Sequence, residues 1–356
     1  MVKLGDVINV HYGKALKADQ RVSNGSVHVF GSSGIVGNHD KTLCSYPTII
    51  IGRKGSVGAI TWAPDGGWII DTAYYVEIKD NNKLDLRYLF YILSGIDLTK
   101  KTITTSIPGL NRDDLYDTFI KLPPFEEQKR IVDLLDKAEG IRQKREQSIK
   151  LADDFLRATF ATMYGNPITN PKKWPVHLMG EIIEFKGGNQ PPKSDFIFEP
   201  KQGYIRLVQI RDFKSDKYAT YIPQEKAKRI FEVDDVMIAR YGPPVFQILR
   251  GLSGSYNVAL MKASPKENIR KGFIFYLLQL PEYHDVVVKN SERTAGQTGV
   301  NLELLNKFNV PLPPIYYQDE ILARLARIEK FKEKIEISLN HLEMQFLSLQ
   351  KRLMGF

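Results

Sequence analysis

Cysteine is almost absent. Cys44 stands alone in 356 residues, so no intrachain disulfide can form and a reducing cytoplasm is the expected address. Its expected role is that of a small buried hydrophobe, not a nucleophile. The six histidines (His11, His28, His39, His177, His284 and His341) are scattered, with no pair at metal-ligand spacing, and a zinc site is not expected. Apolar runs such as Pro47–Ile51 are strand-length and far short of a bilayer, so no membrane span is predicted. The N-terminus has no apolar signal-peptide core, and no secretory signal is expected.

Catalytic signatures are missing too. Gly52-Arg-Lys-Gly-Ser-Val-Gly58 is glycine-rich, and its amides could cradle a phosphate. It lacks the Gly-Lys-Ser/Thr ending of a nucleotide loop, so a plain turn is the better reading. There is no Gly-x-Ser-x-Gly elbow. Nor is there an Asp/Asn-Pro-Pro-Tyr/Phe tetrapeptide of the kind that holds adenine in N6-adenine methyltransferases. Gln190-Pro-Pro-Lys193 and Gly242-Pro-Pro-Val245 have the prolines without the polar and aromatic ends. These absences together argue for binding, not catalysis.

What the chain does have is basic charge, with a formal net of +9. Residues 165–312 carry 21 basic and 15 acidic side chains, against 14 and 12 in residues 1–122. A surplus in the compact segments suits a polyanionic partner. With 43% hydrophobic and 26% charged residues, the composition is that of a globular protein.

The chain also repeats itself. Asn111 and Asn301, Leu122 and Leu312, Gln128 and Gln318, and Ile131 and Ile321 all share one offset, and Gly165 and Gly355 follow it. Fragments upstream echo one another: Leu4–Ile8 with Met179–Ile183, Ile49–Arg53 with Val236–Arg240, and Tyr88–Leu93 with Phe273–Leu278. Each half reads as globular domain, Leu-Pro-Pro, long helix.

After Pro123-Pro124 the pattern turns helical, with Glu126 and Glu127 at the positive end of the helix dipole. Seam positions run Ile131, Leu135, Ala138, Arg142, Arg145, Ile149, Ala152, Leu156, Thr159 and Met163. Their repeat partners are Ile321, Leu325, Ile328, Lys332, Ile335, Leu339, Leu342, Phe346, Leu349 and Leu353. Alternating steps of three and four are a heptad signature, and each helix should span about 60 Å. Such stripes need a partner, and antiparallel pairing of the two helices is predicted, with a pseudo-twofold relation between the halves. Arg142, Arg145 and Lys332 interrupt the seam. Either their stems pack while their heads reach water, the favoured reading, or they form a polar layer that fixes register.

Two similar mixed α/β domains are therefore expected. Residues 1–122 form the first and 123–165 a long helix. Residues 166–312 form the second, with a turn-rich linker at 166–175, and 313–356 a second long helix. Candidate strands are Val27–Phe30, Thr48–Ile51, Val57–Trp62, Tyr74–Ile78, Tyr204–Val208, Asp235–Arg240 and Asn257–Met261. Shorter helices are predicted over Leu86–Leu93 and Gly272–Leu280.

Ile120-Lys-Leu-Pro-Pro-Phe-Glu-Glu-Gln-Lys-Arg-Ile131 before a long helix resembles the junction of type I restriction–modification specificity subunits. Val310-Pro-Leu-Pro-Pro-Ile-Tyr-Tyr-Gln318 resembles a second copy, with Tyr-Tyr for the usual acidic pair. The resemblance covers essentially the whole chain, beginning tightly at the first domain without the leader some relatives carry. It implies two target-recognition domains, each reading one half of a bipartite, asymmetric double-stranded DNA target. The helix pair would set the spacing and dock two modification (methyltransferase) subunits, which restriction subunits join. S-adenosylmethionine, ATP and Mg would belong to those partners, and this chain would hold no cofactor and catalyse nothing. Two other readings stay open: a protein-interaction scaffold displaying two α/β modules, and a self-sufficient methyltransferase.

Under the resemblance, phosphate contacts should come from Lys and Arg, and base contacts from a few polar side chains. The first-domain candidates are Lys14, Lys17, Arg21, Arg53, Lys54, Lys101, Thr104, Thr105, Ser106 and Arg112. The second domain offers Lys186, Lys193, Arg206, Arg211, Arg240, Tyr241, Arg293, Thr294, Gln297 and Thr298. Arg53 and Arg240 carry extra weight because they recur at equivalent strand ends.

Overall fold

A computed structural model describes residues 1–103, 109–242, 244–291 and 299–354, with backbone alone at 100–103 and 354. The chain divides into two compact units, 1–147 with 336–356 and 148–335. The division falls within the long helices, so each unit takes part of both.

The first unit opens with β1 (Val2–Lys3), β2 (Ile8–Tyr12), β3 (Val27–Gly31), β4 (Gly34–His39) and β5 (Thr48–Gly52). It continues with β6 (Ile60–Ala63), β7 (Trp68–Ile69), β8 (Ala73–Ile78), α1 (Leu86–Gly95), α2 (Arg112–Tyr116) and β9 (Phe119–Ile120). Its main sheet is antiparallel in the order β2-β8-β5-β6. All five residues of β5 are buried, as expected where the run Ile49–Ile51 must fill both faces of a central strand. A smaller sheet runs β4-β3-β7, with β3 parallel to β7.

The helix α3 (Phe125–Tyr164) then leads into the second unit. There follow β10 (Val176–Leu178), β11 (Ile183–Gly187), β12 (Tyr204–Val208), β13 (Tyr221–Pro223), β14 (Ile230–Phe231), β15 (Val236–Ala239), β16 (Ile248–Leu249), β17 (Gly254–Tyr256) and β18 (Leu260–Pro265). Helices α4 (Lys271–Leu277), α5 (Pro281–Ser291) and α6 (Leu302–Asn306), then β19 (Asn309–Pro311) and α7 (Ile315–Met354), complete it. The main sheet has the order β11-β18-β15-β16, strand for strand the order of the first unit. The smaller sheet, β13-β12-β17-β14, repeats the parallel pairing in β12 and β17 and adds β14. The internal repeat is thus a repeat of topology.

Glycine holds one point of this plan in both units. The chain leaves β2 at Gly13 and β11 at Gly188, pressed against another backbone segment. A Cβ on Gly13 would lie 2.1 Å from the Ile70 carbonyl oxygen, and one on Gly188 1.9 Å from that of Asn257.

Two strands start later than their apolar pattern suggests. Residues 57–59 belong to a turn, with Gly58 at a φ of 76°, and the strand begins at Ile60. Asn257 starts a turn closed by the Leu260 N–H at 3.1 Å, so that strand is Leu260–Pro265. The second short helix is Lys271–Leu277, ending three residues before Leu280. The 166–175 stretch turns through left-handed Asn170 and Lys173 and is pinned by Trp174 against Tyr317, 5.2 Å between ring centroids. Gly355 lies outside the described residues.

Each long helix runs 40 residues. In the first unit Ile131 and Leu135 of α3 share a core with Phe346, Leu349 and Leu353 of α7. In the second, Leu156, Phe160 and Tyr164 share one with Ile321, Leu325 and Ile328. Within each unit the start of one helix meets the end of the other, which makes the pairing antiparallel. The seam positions are buried or half-buried except Arg145, which is exposed. The other two interruptions bind carboxylates. Lys332 reaches Asp153 across the helix pair at 2.7 Å, whereas Arg142 pairs with Glu139 and Glu146 on its own helix. Of the two, Lys332 makes a direct ion pair between the helices. Among the described residues, no helix is long and apolar enough to cross a membrane.

The junction residues act as couplers. Gln128 is fully buried: its Oε1 accepts the Asp85 N–H at 2.9 Å, and its Nε2 donates to the carbonyls of Lys83 and Pro123 at 2.7 and 2.9 Å. Gln318 does the same with Arg270 N–H, Asn268 O and Pro313 O, at 2.9, 2.9 and 2.8 Å. A second link joins each domain to a helix. Arg87 lies over Trp62, Phe90 and Tyr91 and pairs with Asp136, and Arg250 lies over Phe275 and pairs with Glu329.

Candidate nucleic-acid interface

In the first unit three predicted or neighbouring residues from distant segments converge. Arg53 leaves the end of β5, Tyr12 ends β2, and Arg112 begins α2. The guanidinium carbon of Arg53 lies 5.0 Å from the Tyr12 ring centroid and 5.8 Å from that of Tyr74; that of Arg112 lies 5.4 Å from Tyr12. A cation over an aromatic face is held without being neutralised. Among the described residues neither arginine has an ion-pair partner, although Arg53 donates to the Asp71 carbonyl at 3.1 Å. Tyr74 beneath is pushed up to about 12 by burial and by the adjacent Tyr12 hydroxyl, so it stays neutral and donates to the Leu110 carbonyl at 3.0 Å.

Backbone bonds fix this corner. Leu110 N–H donates to Arg53 O at 3.0 Å, and Lys54 bridges Gly109. Asn111 then caps α2, its side chain accepting the Asp113 N–H at 3.1 Å. The second unit repeats every step. Val300 N–H donates to Arg240 O at 3.1 Å, Tyr241 bridges Gly299, and Asn301 caps α6 by accepting from Glu303 N at 3.0 Å. The Arg240 guanidinium lies 4.9 Å from the Tyr241 ring, and it too has no ion pair among the described residues.

The remaining candidates divide. Lys14 is exposed two residues beyond Tyr12, on a backbone held by Trp68 Nε1 donating to its carbonyl at 3.0 Å. Lys17, Lys54 and Lys193 are exposed, with no ion pair among the described residues. Arg211 is exposed beside Tyr218. Lys101 closes the helical turn Leu98–Lys101. Three cations are already engaged. Arg21 donates to the carbonyls of Val36 and Leu16 at 2.7 and 3.4 Å and so braces a loop. Arg206 is held by Asp216 at 2.7 Å and Asp212 at 3.9 Å, and Lys186 by Glu184 at 3.3 Å. Burial raises the Asp212 carboxyl despite Arg206 nearby. Arg21 and Arg206 brace their surroundings, whereas the Lys186–Glu184 pair is half exposed and screened by solvent. Thr104, Thr105, Ser106, Arg293, Thr294, Gln297 and Thr298 lie outside the described residues.

Tyr12 is the residue that sequence reading does not supply; its one signal is an aromatic at a strand end just before Lys14. Cys44 is buried, and burial raises its thiol, which makes it a poor nucleophile. Among the described residues no three His, Cys, Asp or Glu side chains gather as metal ligands.

The family described as the type I restriction modification DNA specificity domain matches residues 1–151 and 171–343. The chain belongs to this specificity family. Its two matched stretches correspond to the two halves of the repeat. The chain is 22% identical over 336 residues to the type I restriction enzyme EcoBI specificity subunit of Escherichia coli, covering 83% of this chain and 70% of that protein. It is 21% identical over 305 residues to the MjaVIII specificity subunit of Methanocaldococcus jannaschii, covering 74% and 69%. In fold it is similar to the type I restriction–modification S subunit from M. genitalium, with a TM-score of 0.58, 16% identity and 99% and 95% of the two chains covered. A chain from a study of complex assembly and conformational transition in the type I system gives a TM-score of 0.56, at 19% identity over 99% and 97%.

Proposed function

We propose that this chain is the DNA-recognition subunit of a type I restriction–modification enzyme, each unit reading one half of a bipartite target. One observation carries the reading: the same arginine, without an ion pair among the described residues, recurs at the same strand end of two units built on one sheet order. A phosphate or base edge is the natural partner for a guanidinium held on an aromatic ring and left unneutralised. The basic surplus of the second unit supports the same partner.

The chain performs no chemistry in this reading. Methylation and cleavage fall to modification and restriction subunits, which would bring S-adenosylmethionine, ATP and Mg. The long helices carry outward apolar side chains that neither core uses, including Ile141, Leu151, Phe155, Phe331, Met344 and Leu347, all exposed. Apolar side chains in this number, on the helical part of each unit, suit docking of protein partners. That surface also accounts for what a pure scaffold reading would require, so the two readings differ only in DNA binding.

Arg240→Ala separates them. The variant should assemble with the modification subunits as the wild type does, while DNA affinity by gel shift falls about tenfold at moderate salt. Unchanged DNA binding would remove Arg240 from the interface.

A further inference from the structure

Both units build an arginine–tyrosine stack in the same place, but each takes the tyrosine from a different position. In the first unit the ring over Arg53 is Tyr12, the last residue of β2, and the residue after Arg53 is Lys54. In the second unit the position of Tyr12 is held by Gly187, the last residue of β11. There the ring comes from Tyr241, which stands where the first unit has Lys54 and makes the same bridge to the glycine ahead of the short helix. The tyrosine changes position between the units: Tyr12 and Lys54 in one correspond to Gly187 and Tyr241 in the other.

The packing around the glycines follows this difference. A Cβ at Gly187 would lie 3.4 Å from Arg240 Nη1, in ordinary van der Waals contact with the end of the arginine, so Arg240 passes directly over the position that Tyr12 holds in the first unit. A Cβ at Gly299 would lie 3.0 Å from the Tyr241 ring, so that ring covers the glycine directly. The neighbour that adds a second cation to Tyr12, Arg112, has Leu302 as its counterpart.

Resting on the DNA-reading function above, we propose a division of labour within this corner. Arg53 and Arg240 are common anchors on the phosphate backbone. The exchanged positions, Tyr12, Lys54 and Arg112 against Gly187, Tyr241 and Leu302, determine which bases each half-site requires. Phosphates are alike at every step of a duplex, so two readers on one scaffold can use the same residue to grip them. Bases are distinguished by their groove edges, so readers of different half-sites must differ where they touch those edges. Lys54 and Arg112 present donors there, whereas Tyr241 presents mainly an aromatic ring and Leu302, packed against the core, offers no donor.

The test uses the complete chain assembled with its modification subunits and a randomised double-stranded DNA library, reading methylated sites by sequencing. Lys54→Tyr, and the pair Tyr12→Gly with Lys54→Tyr, should shift the preferred bases in one half-site by about tenfold or more and leave the other half intact. Arg53→Ala should keep both half-site sequences, lower affinity, and reduce the slope of log affinity against log salt by about one. Lys54 is exposed on a loop, so that single variant keeps the test decisive if the pair does not fold. Unchanged half-sites in the Lys54→Tyr complex, or an altered sequence in the Arg53→Ala complex, would overturn the division. A wild-type complex that methylates without any two-part preference would overturn the DNA-reading function itself, and this assignment with it.

Discussion

Replacing Gln318 by leucine should destabilise the second unit by about 3 kcal/mol. The side chain is fully buried and makes three hydrogen bonds, one accepted from Arg270 N–H and two donated to Asn268 O and Pro313 O. Leucine removes the partner but leaves the three backbone groups behind. Each stranded group costs roughly 1.5 kcal/mol, and greater apolar burial returns roughly 1.5 kcal/mol in all. In a unit of roughly 190 residues, 3 kcal/mol corresponds to a fall of about 6–12 °C in Tm. Differential scanning calorimetry of the purified chain would resolve it, and Gln128→Leu should lower the transition of the first unit by a similar amount. Gln318→Glu sharpens the test. It keeps an acceptor for Arg270 but turns a carboxylate toward two carbonyls, so its carboxyl should be raised above the ordinary range in the folded state. Its deficit against wild type should therefore shrink as pH falls through that raised value. A shift below 2 °C for both leucine variants would refute the claim that these glutamines couple domain to helix.

Three further outcomes follow from the packing. Burial alone would raise the Asp235 carboxyl, but hydrogen bonds from Lys262, Lys271 and the Glu232 N–H outweigh it and hold the group at about 2. A depressed carboxylate stabilises above its unfolded value near 4 and loses that contribution as pH falls toward 2. The urea-unfolding gap between wild type and Asp235→Asn, roughly 2 kcal/mol at neutral pH, should therefore close between pH 4 and 2. Gly188→Ala and Gly13→Ala each drive a Cβ into a backbone carbonyl, 1.9 and 2.1 Å away, and should cost about 3 kcal/mol or prevent soluble folding. Lys332→Met removes an ion pair whose side chains are 25% and 38% exposed, and should move Tm by less than about 2 °C.

The parts of the fold that could be read from sequence are those written in local period. The heptad stripes of α3 and α7, the Leu-Pro-Pro junctions and the buried run Ile49–Ile51 each carry their pattern within a few turns or one strand. Errors arose where a turn hides in an apolar run, at 57–59 and 257–259, because alternation alone does not mark where a glycine or an asparagine bends the chain.

The candidate site was only half legible. Arg53 and Arg240 stood out because duplication repeats a residue at one offset, a property of sequence alone. Gln128 and Gln318 recur as well, three residues off the arginine spacing, yet their purpose was invisible: their carbonyl and amide partners lie 43 to 50 residues upstream, apart from the nearby prolines. Nor could sequence say that Arg21, Arg206 and Lys186 are already engaged, since nothing in a one-dimensional list separates a paired cation from an unpaired one.

Sequence by itself determined that the protein is duplicated, helically seamed and basic, since repetition, period and charge are properties of order and composition. Tertiary structure alone decided which cations remain unneutralised and which ring supports each arginine. Those outcomes depend on side chains from segments as distant as Tyr12, Arg53 and Arg112 arriving at one corner: the sheet that joins β2 to β5 through β8 brings Tyr12 to Arg53, and the Leu110–Arg53 backbone bond brings Arg112.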